Sequence, residues 1–148
     1  ACGNGELLKV LKKKGFQVTG VDLSLVRTKH VNACGVPCLC SGAEAVPCKD
    51  HVFDVVICLE CLEHVRDPFA VVKEMRRLLK RGGIAFCTVP YGKNCDCEAH
   101  VRHFNESNLY SLFKTSGFEP INLIRIPYLN NSLSDDNLFL AAKMDMSD

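Results

Sequence analysis

Phe53-Asp54-Val55-Val56-Ile57-Cys58-Leu59, followed at once by Glu60-Cys61-Leu62-Glu63-His64-Val65, is the stretch on which the reading of this chain turns. Its first seven residues are apolar except for Asp54. A short apolar run of this kind predicts a strand covered on both faces, as in the interior of a parallel sheet. Parallel strands need crossover connections, and helical patterns stand on both sides of the run. Upstream, residues 6–14 place Leu7, Leu8, Val10 and Leu11 on one side and lysines on the other, an amphipathic helix stopped by Gly15. Residues 16–21 read as a strand closed by Asp22, and residues 24–33 as a helix capped near Asp22 or Ser24. Residues 36–40 read as a short strand, and residues 41–50, with Gly42 and Pro47, as a loop. Downstream, residues 67–79 predict a helix with Pro68 in its first turn and Gly82-Gly83 as its stop. Residues 84–89 form the next strand, ended by Pro90. Asn105 caps a helix running to Thr115, and residues 120–126 and 138–143 finish as strands.

Strands alternating with helices predict an α/β fold, Rossmann-like and doubly wound, with a mostly parallel sheet. The last two strands are joined by a polar loop in place of a helix, so an antiparallel C-terminal hairpin is expected. With 148 residues and no internal repeat or low-complexity tract, residues 1–148 read as a single domain. Hydrophobic residues make up 47% and charged residues 24%, an ordinary globular balance. A net charge of +1 and a pI near 7.7 give no field for capturing nucleic acid or an anionic membrane. No apolar run approaches the roughly 18 residues of a membrane span. Ten cysteines is a high count, and Cys58 and Cys87 sit in apolar strand-like runs, where free thiols act as small hydrophobes. That usage suits a reducing, cytoplasmic setting better than a disulfide scaffold.

The chain opens Ala1-Cys2-Gly3-Asn4-Gly5-Glu6 and runs directly into a helix. Glycines there permit a tight turn and a close ligand approach, and the helix N-terminus favours a carboxylate. Asp22, at the end of the next strand, can accept from both hydroxyls of a ribose. A dinucleotide site uses the same logic, but the third glycine of its GxGxxG pattern would fall at Leu8, which argues against a nicotinamide dehydrogenase. The plain alternative is a helix-start turn followed by a turn aspartate.

Together these segments resemble the class I S-adenosylmethionine (SAM)-dependent methyltransferases of the small-molecule, ubiquinone-biosynthesis-like (type 11) group. The resemblance runs from Ala1 to Lys143. Ala1-Cys2-Gly3-Asn4-Gly5 resembles the second half of the glycine-rich SAM motif, and Val21-Asp22-Leu23-Ser24 the ribose-binding acidic motif. Residues 53–65 resemble the fourth strand and the active-site loop after it. Leu78-Leu79-Lys80-Arg81-Gly82-Gly83 resembles the turn into the fifth strand, and His100-Val101-Arg102-His103-Phe104 with Ser116-Gly117-Phe118-Glu119 the late helix. The resemblance implies SAM as cofactor, S-adenosylhomocysteine as product, and cofactor contacts from Ala1, Cys2, Gly3, Gly5, Asp22, Leu23, Ala43, Glu44 and Leu59. Ala1 stands where the group usually has glycine. Ala43 stands where many members carry an aspartate for the adenine amino group, with Glu44 beside it as a substitute. In this fold a first strand precedes the glycine-rich loop and lies mid-sheet. The numbered chain opens in the loop, so that strand is missing and a longer, N-terminally extended protein is expected.

Methyl transfer from SAM is an in-line displacement on an activated methyl; the protein positions the partners and removes a proton where needed. On a helical turn Glu60, Glu63 and His64 share one face at i, i+3 and i+4. Two carboxylates and an imidazole suit a hard divalent ion such as Mg²⁺, which would lower the pKa of a bound hydroxyl. Some relatives resemble this, with a Glu-x-x-Glu-His ion site. Without a metal, Glu63 and His64 are catalytic candidates as a base near the methyl, or they only shape the loop. His100 and His103 are further catalytic candidates, as bases or as a completing metal ligand, or belong to a helix-entry segment with Phe104 turned inward. Cys34, Cys38 and Cys40, and Cys95 and Cys97 before His100, invite a zinc reading, but neither spacing makes a paired CxxC set. The leading expectation is an enzyme methylating a small molecule at oxygen, carbon or nitrogen. Two alternatives stand beside it: RNA 2′-O-methylation through the Glu-x-x-Glu-His site, which no basic, aromatic stripe supports, and a non-catalytic SAM-binding domain.

Overall fold

The computed structural model describes residues 1–91, 99–126 and 136–145. They fall into two compact units, Ala1–Pro47 and Cys48–Asp148.

The first unit runs α1 (Glu6–Lys13), β1 (Gly20–Asp22), α2 (Leu25–Ala33) and β2 (Cys38–Cys40). β1 and β2 pair in parallel with Gly20 opposite Cys38 and Asp22 opposite Cys40, so α2 is the crossover of a β-α-β unit. Ser24 caps α2 by accepting from the Arg27 N–H. Val31 of α2, Val36 and Cys38 form the core, with Cys2, Leu8 and Val18 packed against them. Both strands are shorter than residues 16–21 and 36–40 predict. The ladder begins at Cys38 because the residue before it, Pro37, has no N–H to offer; Gly20 N–H still donates to its carbonyl at 2.8 Å. Phe16, at the start of the expected strand, is left exposed.

The second unit contains β3 (Phe53–Leu59), α3 (Pro68–Leu78), β4 (Leu79–Pro90), α4 (Glu106–Thr115), β5 (Phe118–Ile126) and β6 (Asn137–Met144). Its sheet has the order β3-β4-β6-β5. β3 and β4 are parallel, and β6 is antiparallel to both β4 and β5. Three strands therefore run one way and β6 alone opposes them, as the expected mostly parallel sheet with an antiparallel hairpin requires. Asp67 caps α3 through Ala70 N–H, with Pro68 in the first turn, and Asn105 and Asn108 form a reciprocal capping box on α4. Leu79, Val72, Leu109, Phe113, Phe118 and Leu138 are buried in the core of this unit.

Two expectations need correction. Gly82-Gly83 does not stop α3; the helix ends at Leu78, and Leu79 is already extended. Leu79 pairs with Phe53, and pairing resumes at Ile84 opposite Val55, so residues 80–83 form a bulge within β4. Gly82 supplies its left-handed residue at φ +75°, and a Cβ on Gly83 would meet the Lys80 and Asp54 carbonyls at 2.9 and 3.0 Å. Nor is β3 covered on both faces: Val55 and Ile57, on the same side, are 43% and 40% exposed. Among the described residues β3 bonds only to β4, and Cys58 on its other side is the buried one.

No helix among the described residues is long and apolar enough to cross a membrane. Gly5 gives a direct test of the first unit. It caps α1 at φ +75°, and an added Cβ would stand 2.9 Å from a Val31 methyl. Gly5→Ala is expected to destabilise the fold by about 1–3 kcal/mol, read as a lowered urea midpoint. An unchanged midpoint would show that the turn is not under this constraint.

Candidate cofactor loop and acid–histidine cluster

The glycine-rich opening of the first unit is tied to the end of β1 by main-chain bonds. Cys2 N–H donates to Val21 O at 2.8 Å, and Gly5 N–H to Cys2 O at 3.0 Å. Ala1 N also donates to Val21 O, at 2.7 Å. Gly3 and Gly5 adopt φ +57° and +75°, which turns the chain into α1. No side chain caps α1, so first-turn N–H groups remain for an anionic partner.

Asp22 is 4% exposed. Its Oδ2 accepts from Gly3 N–H at 2.8 Å and its Oδ1 from Ser24 N–H at 2.9 Å. Burial opposes ionisation, but the two N–H donors more than offset it and hold the carboxyl below its ordinary range. An ionised carboxylate has about four acceptor positions, so each oxygen keeps one for a hydroxyl. Of the other cofactor candidates in this unit, Leu23 is 78% exposed, Ala43 is half-buried, and Glu44 folds back over Gly42. Leu59 belongs to the second unit, half-buried at the end of β3.

In the second unit the chain turns sharply after β3. Glu60 takes φ +46°, a left-handed conformation rare for a side-chain-bearing residue. Its N–H donates to Thr88 O at 3.1 Å, and its carboxylate accepts from Thr88 Oγ1 at 2.5 Å. Leu62, fully buried, anchors the loop, and His64 N–H closes a turn on Cys61 O. Glu63 is 1% exposed, and neither of its carboxylate oxygens has a hydrogen-bond partner. Burial pushes its pKa up to about 7; its own backbone N–H and His64 oppose the rise, and Glu60 adds to it. His64 Nε2 lies 3.6 Å from Glu63 Oε1, and the His100 ring lies edge-on to His64 at 4.8 Å between centroids.

A strap formed by residues 99–102 holds this cluster together. Val101 N–H donates to Glu63 O at 2.9 Å, and His64 Nδ1 bonds to Ala99 O at 3.0 Å. The Arg102 guanidinium donates to the Val65 and Arg66 carbonyls at 2.7 Å. Of the expected ion ligands Glu60, Glu63 and His64 and the further candidates His100 and His103, the fold brings Glu63, His64 and His100 together. Glu60 is engaged by Thr88 instead, and His103 is exposed and lies outside the group.

The partners Thr88, Ala99 and Arg102 were missing from the sequence reading. None of the three left a local signal: Thr88 meets Glu60 because the register of β3 on β4 sets Leu59 opposite it. The cysteines disperse: Cys38 Sγ touches Cys2 Sγ at 3.5 Å, Cys34 lies near His30, and Cys40 points to Leu23 O. Cys95 and Cys97 lie outside the described residues. The raised pKa of Glu63 carries a stability consequence. The native state holds a proton that the unfolded chain, with its carboxyl near 4.5, has lost, so stability falls as pH rises from about 4.5 to about 7. In metal-free buffer Glu63→Gln is expected to remove this slope, worth up to roughly 3 kcal/mol, and to exceed the parent in stability at pH 8. Parallel pH profiles from urea denaturation would overturn the assignment.

Comparison with known proteins places these features in a family. Residues 1–87 match the family model described as "Methyltransferase domain". The ubiquinone biosynthesis O-methyltransferase of Idiomarina loihiensis is 41% identical over 92 residues, covering 57% of this chain and 38% of that protein. Its namesake from Vibrio cholerae is 37% identical with the same coverage. The chain thus spans less than half the length of these curated relatives. A SAM-dependent methyltransferase structure from Methanosarcina mazei superposes with a TM-score of 0.84 at 19% identity, covering 98% of this chain and 90% of that one. The [4+2]-cyclase SpnF superposes equally well, at 18% identity, covering 98% of this chain and 72% of that one. A fold shared with a cyclase does not fix the chemistry. The sequence match and the shared fold together establish that the chain belongs to the class I, type 11 family of SAM-dependent methyltransferases.

Proposed function

We propose that residues 1–148 act as one catalytic domain that transfers a methyl group from SAM to a small-molecule acceptor, at oxygen first and at nitrogen or carbon as the alternatives. The observation that carries this reading is Asp22: an ionised, nearly buried carboxylate tied to Gly3 of the glycine-rich loop, with acceptor positions left for ribose hydroxyls. The ubiquinone biosynthesis O-methyltransferases support oxygen as the acceptor atom. A structural neighbour titled 1,6-didemethyltoxoflavin-N1-methyltransferase, from Burkholderia thailandensis, carries S-adenosylhomocysteine; it superposes with a TM-score of 0.80 at 20% identity, over 97% of this chain and 68% of that one.

In the step proposed, an acceptor lone pair attacks the methyl carbon, the sulfur–methyl bond breaks, and S-adenosylhomocysteine leaves. The acceptor proton passes to His64 Nε2, which is the free ring nitrogen because Nδ1–H donates to the Ala99 carbonyl. Glu63, beside it, stabilises the imidazolium so formed. Mg²⁺ has no step here. It demands near-octahedral oxygen coordination, whereas Glu60 is engaged by Thr88 and the assembled group offers one carboxylate and two imidazoles. A SAM-binding domain without catalysis would leave the buried, unpartnered Glu63 without a role. All eight described cysteines are free thiols, which supports a cytoplasmic setting.

Calorimetric titration with S-adenosylhomocysteine is expected to give micromolar binding, with none for NAD. Asp22→Ala should weaken it by about 1–3 kcal/mol, since ribose hydroxyls and the Gly3 and Ser24 N–H groups all lose their acceptor. Unchanged affinity would remove Asp22 from the site. His64→Ala should lower turnover of a catechol or related hydroxyl acceptor by roughly 10²–10⁴-fold while sparing product affinity. Normal turnover would exclude His64 as the base.

A further inference from the structure

Val65 and Arg66 carry the chain from the acid–histidine loop towards α3, and one distant side chain meets both of their carbonyls. Arg102 Nη2 donates to Val65 O and to Arg66 O, each at 2.7 Å. Arg102 Nε is buried and has no partner among the described residues. An N–H left in that state costs free energy, which the two Nη2 bonds must offset. Arg102 also ends the strap that touches His64. Ala99 O accepts from His64 Nδ1 at 3.0 Å, and Val101 N–H donates to Glu63 O at 2.9 Å. The strap thus meets the loop at residues 63, 64, 65 and 66, and of these contacts only those of Arg102 come from a permanently charged donor. The His64 side chain is 40% exposed, so water competes for its bond to Ala99.

We propose that Arg102 is a positioning residue for the base: by clamping Val65 and Arg66 it keeps the Ala99 carbonyl on His64 Nδ1 and so leaves Nε2 as the free nitrogen. A neutral histidine in water favours the opposite tautomer, with its proton on Nε2. A carbonyl can only accept, so the Ala99 bond selects the Nδ1–H form, but only while the strap holds that carbonyl in place. Arg102 acts through His64 and touches no reacting atom. Both clamp bonds leave from one nitrogen, so a lysine ammonium, with three donors on one nitrogen, can reproduce the pair in part. A loop displaced by about 1 Å costs about 10²-fold in rate. The inference deepens the proposed function, and its catalytic consequence rests on that reading. The tautomer of His64 in the resting protein does not depend on it.

The test reads the His64 tautomer directly, by two-bond proton–nitrogen correlation on protein labelled with ¹⁵N-histidine, at about pH 8, where imidazoles are neutral. The His64 signals are those lost in His64→Ala. The expected result is an Nδ1–H ring in the parent, a shift towards Nε2–H in Arg102→Ala, and the parental form in Arg102→Lys. Arg102→Gln, shorter and uncharged, is the milder variant should Arg102→Ala fail to fold, and it is expected to lose the tautomer too. With a catechol acceptor, Arg102→Ala should lower kcat by about 10²-fold while calorimetry finds S-adenosylhomocysteine affinity unchanged. Arg102→Lys, or millimolar guanidinium added to Arg102→Ala, should restore part of that loss. An Nε2–H ring in the parent, a parental tautomer in the folded Ala and Gln variants, or kcat and product affinity falling together would overturn the proposal. Loss of the tautomer in a protein that binds no product would leave the clamp standing and sink the methyltransferase reading. Product binding with an unmoved tautomer would do the reverse.

Discussion

The backbone hydrogen bonding of β4 is the constraint on which the second unit depends. From Ile84 to Thr88 it is paired on both edges, in parallel with β3 and antiparallel with β6. A strand bonded on both sides has little freedom to slip, because a one-residue shift would turn its buried Ala85, Cys87 and Val89 outward. That register sets Leu59 against Thr88, which brings Thr88 within reach of Glu60. The chain can leave β3 through a left-handed Glu60 because Thr88 meets both its N–H and its carboxylate. The β4 line also continues beyond Pro90, where Tyr91 forms a parallel bridge to Phe104 just past the strap. The loop after β3 and the segment carrying His100 are therefore positioned by the same strand.

Electrostatics at the cluster follow from that placement. A glutamate on an exposed loop would stay ionised and solvated. Leu62 and Cys61 instead sink into the core and take Glu63 with them, so its carboxylate loses water without a partner from another residue to replace it. The resulting rise in pKa and the convergence of lone pairs are two expressions of the same burial. Both mark the group as a place where a proton is stabilised.

The candidate cofactor loop solves the opposite problem. Asp22 is also nearly buried, yet two main-chain N–H groups keep it ionised. Those bonds tie the glycine-rich turn to the β1 terminus, so the loop and its carboxylate form one device. Gly5 is required there by its left-handed backbone and by Val31, which leaves no space for a Cβ.

The sequence by itself determined the element order, the cap at Asn105 and one near Asp22 or Ser24, the antiparallel closing strands and the naming of Asp22, Glu63, His64 and His100 as site candidates. Each rests on signals among neighbouring residues: periodicity, capping side chains, glycine turns and a short motif. Tertiary structure alone decided the length of β1 and β2, the bulge that claims Gly82 and Gly83, and the one-sided exposure of β3. It also decided which candidates act together. Glu60 and His64 occupy one motif, yet Thr88 captures the first and Ala99 orients the second, across 28 and 35 residues of chain. No local pattern encodes such partnerships. They arise from where the β4 register and the strap place distant backbone groups, and burial then sets which polar groups are left without a partner.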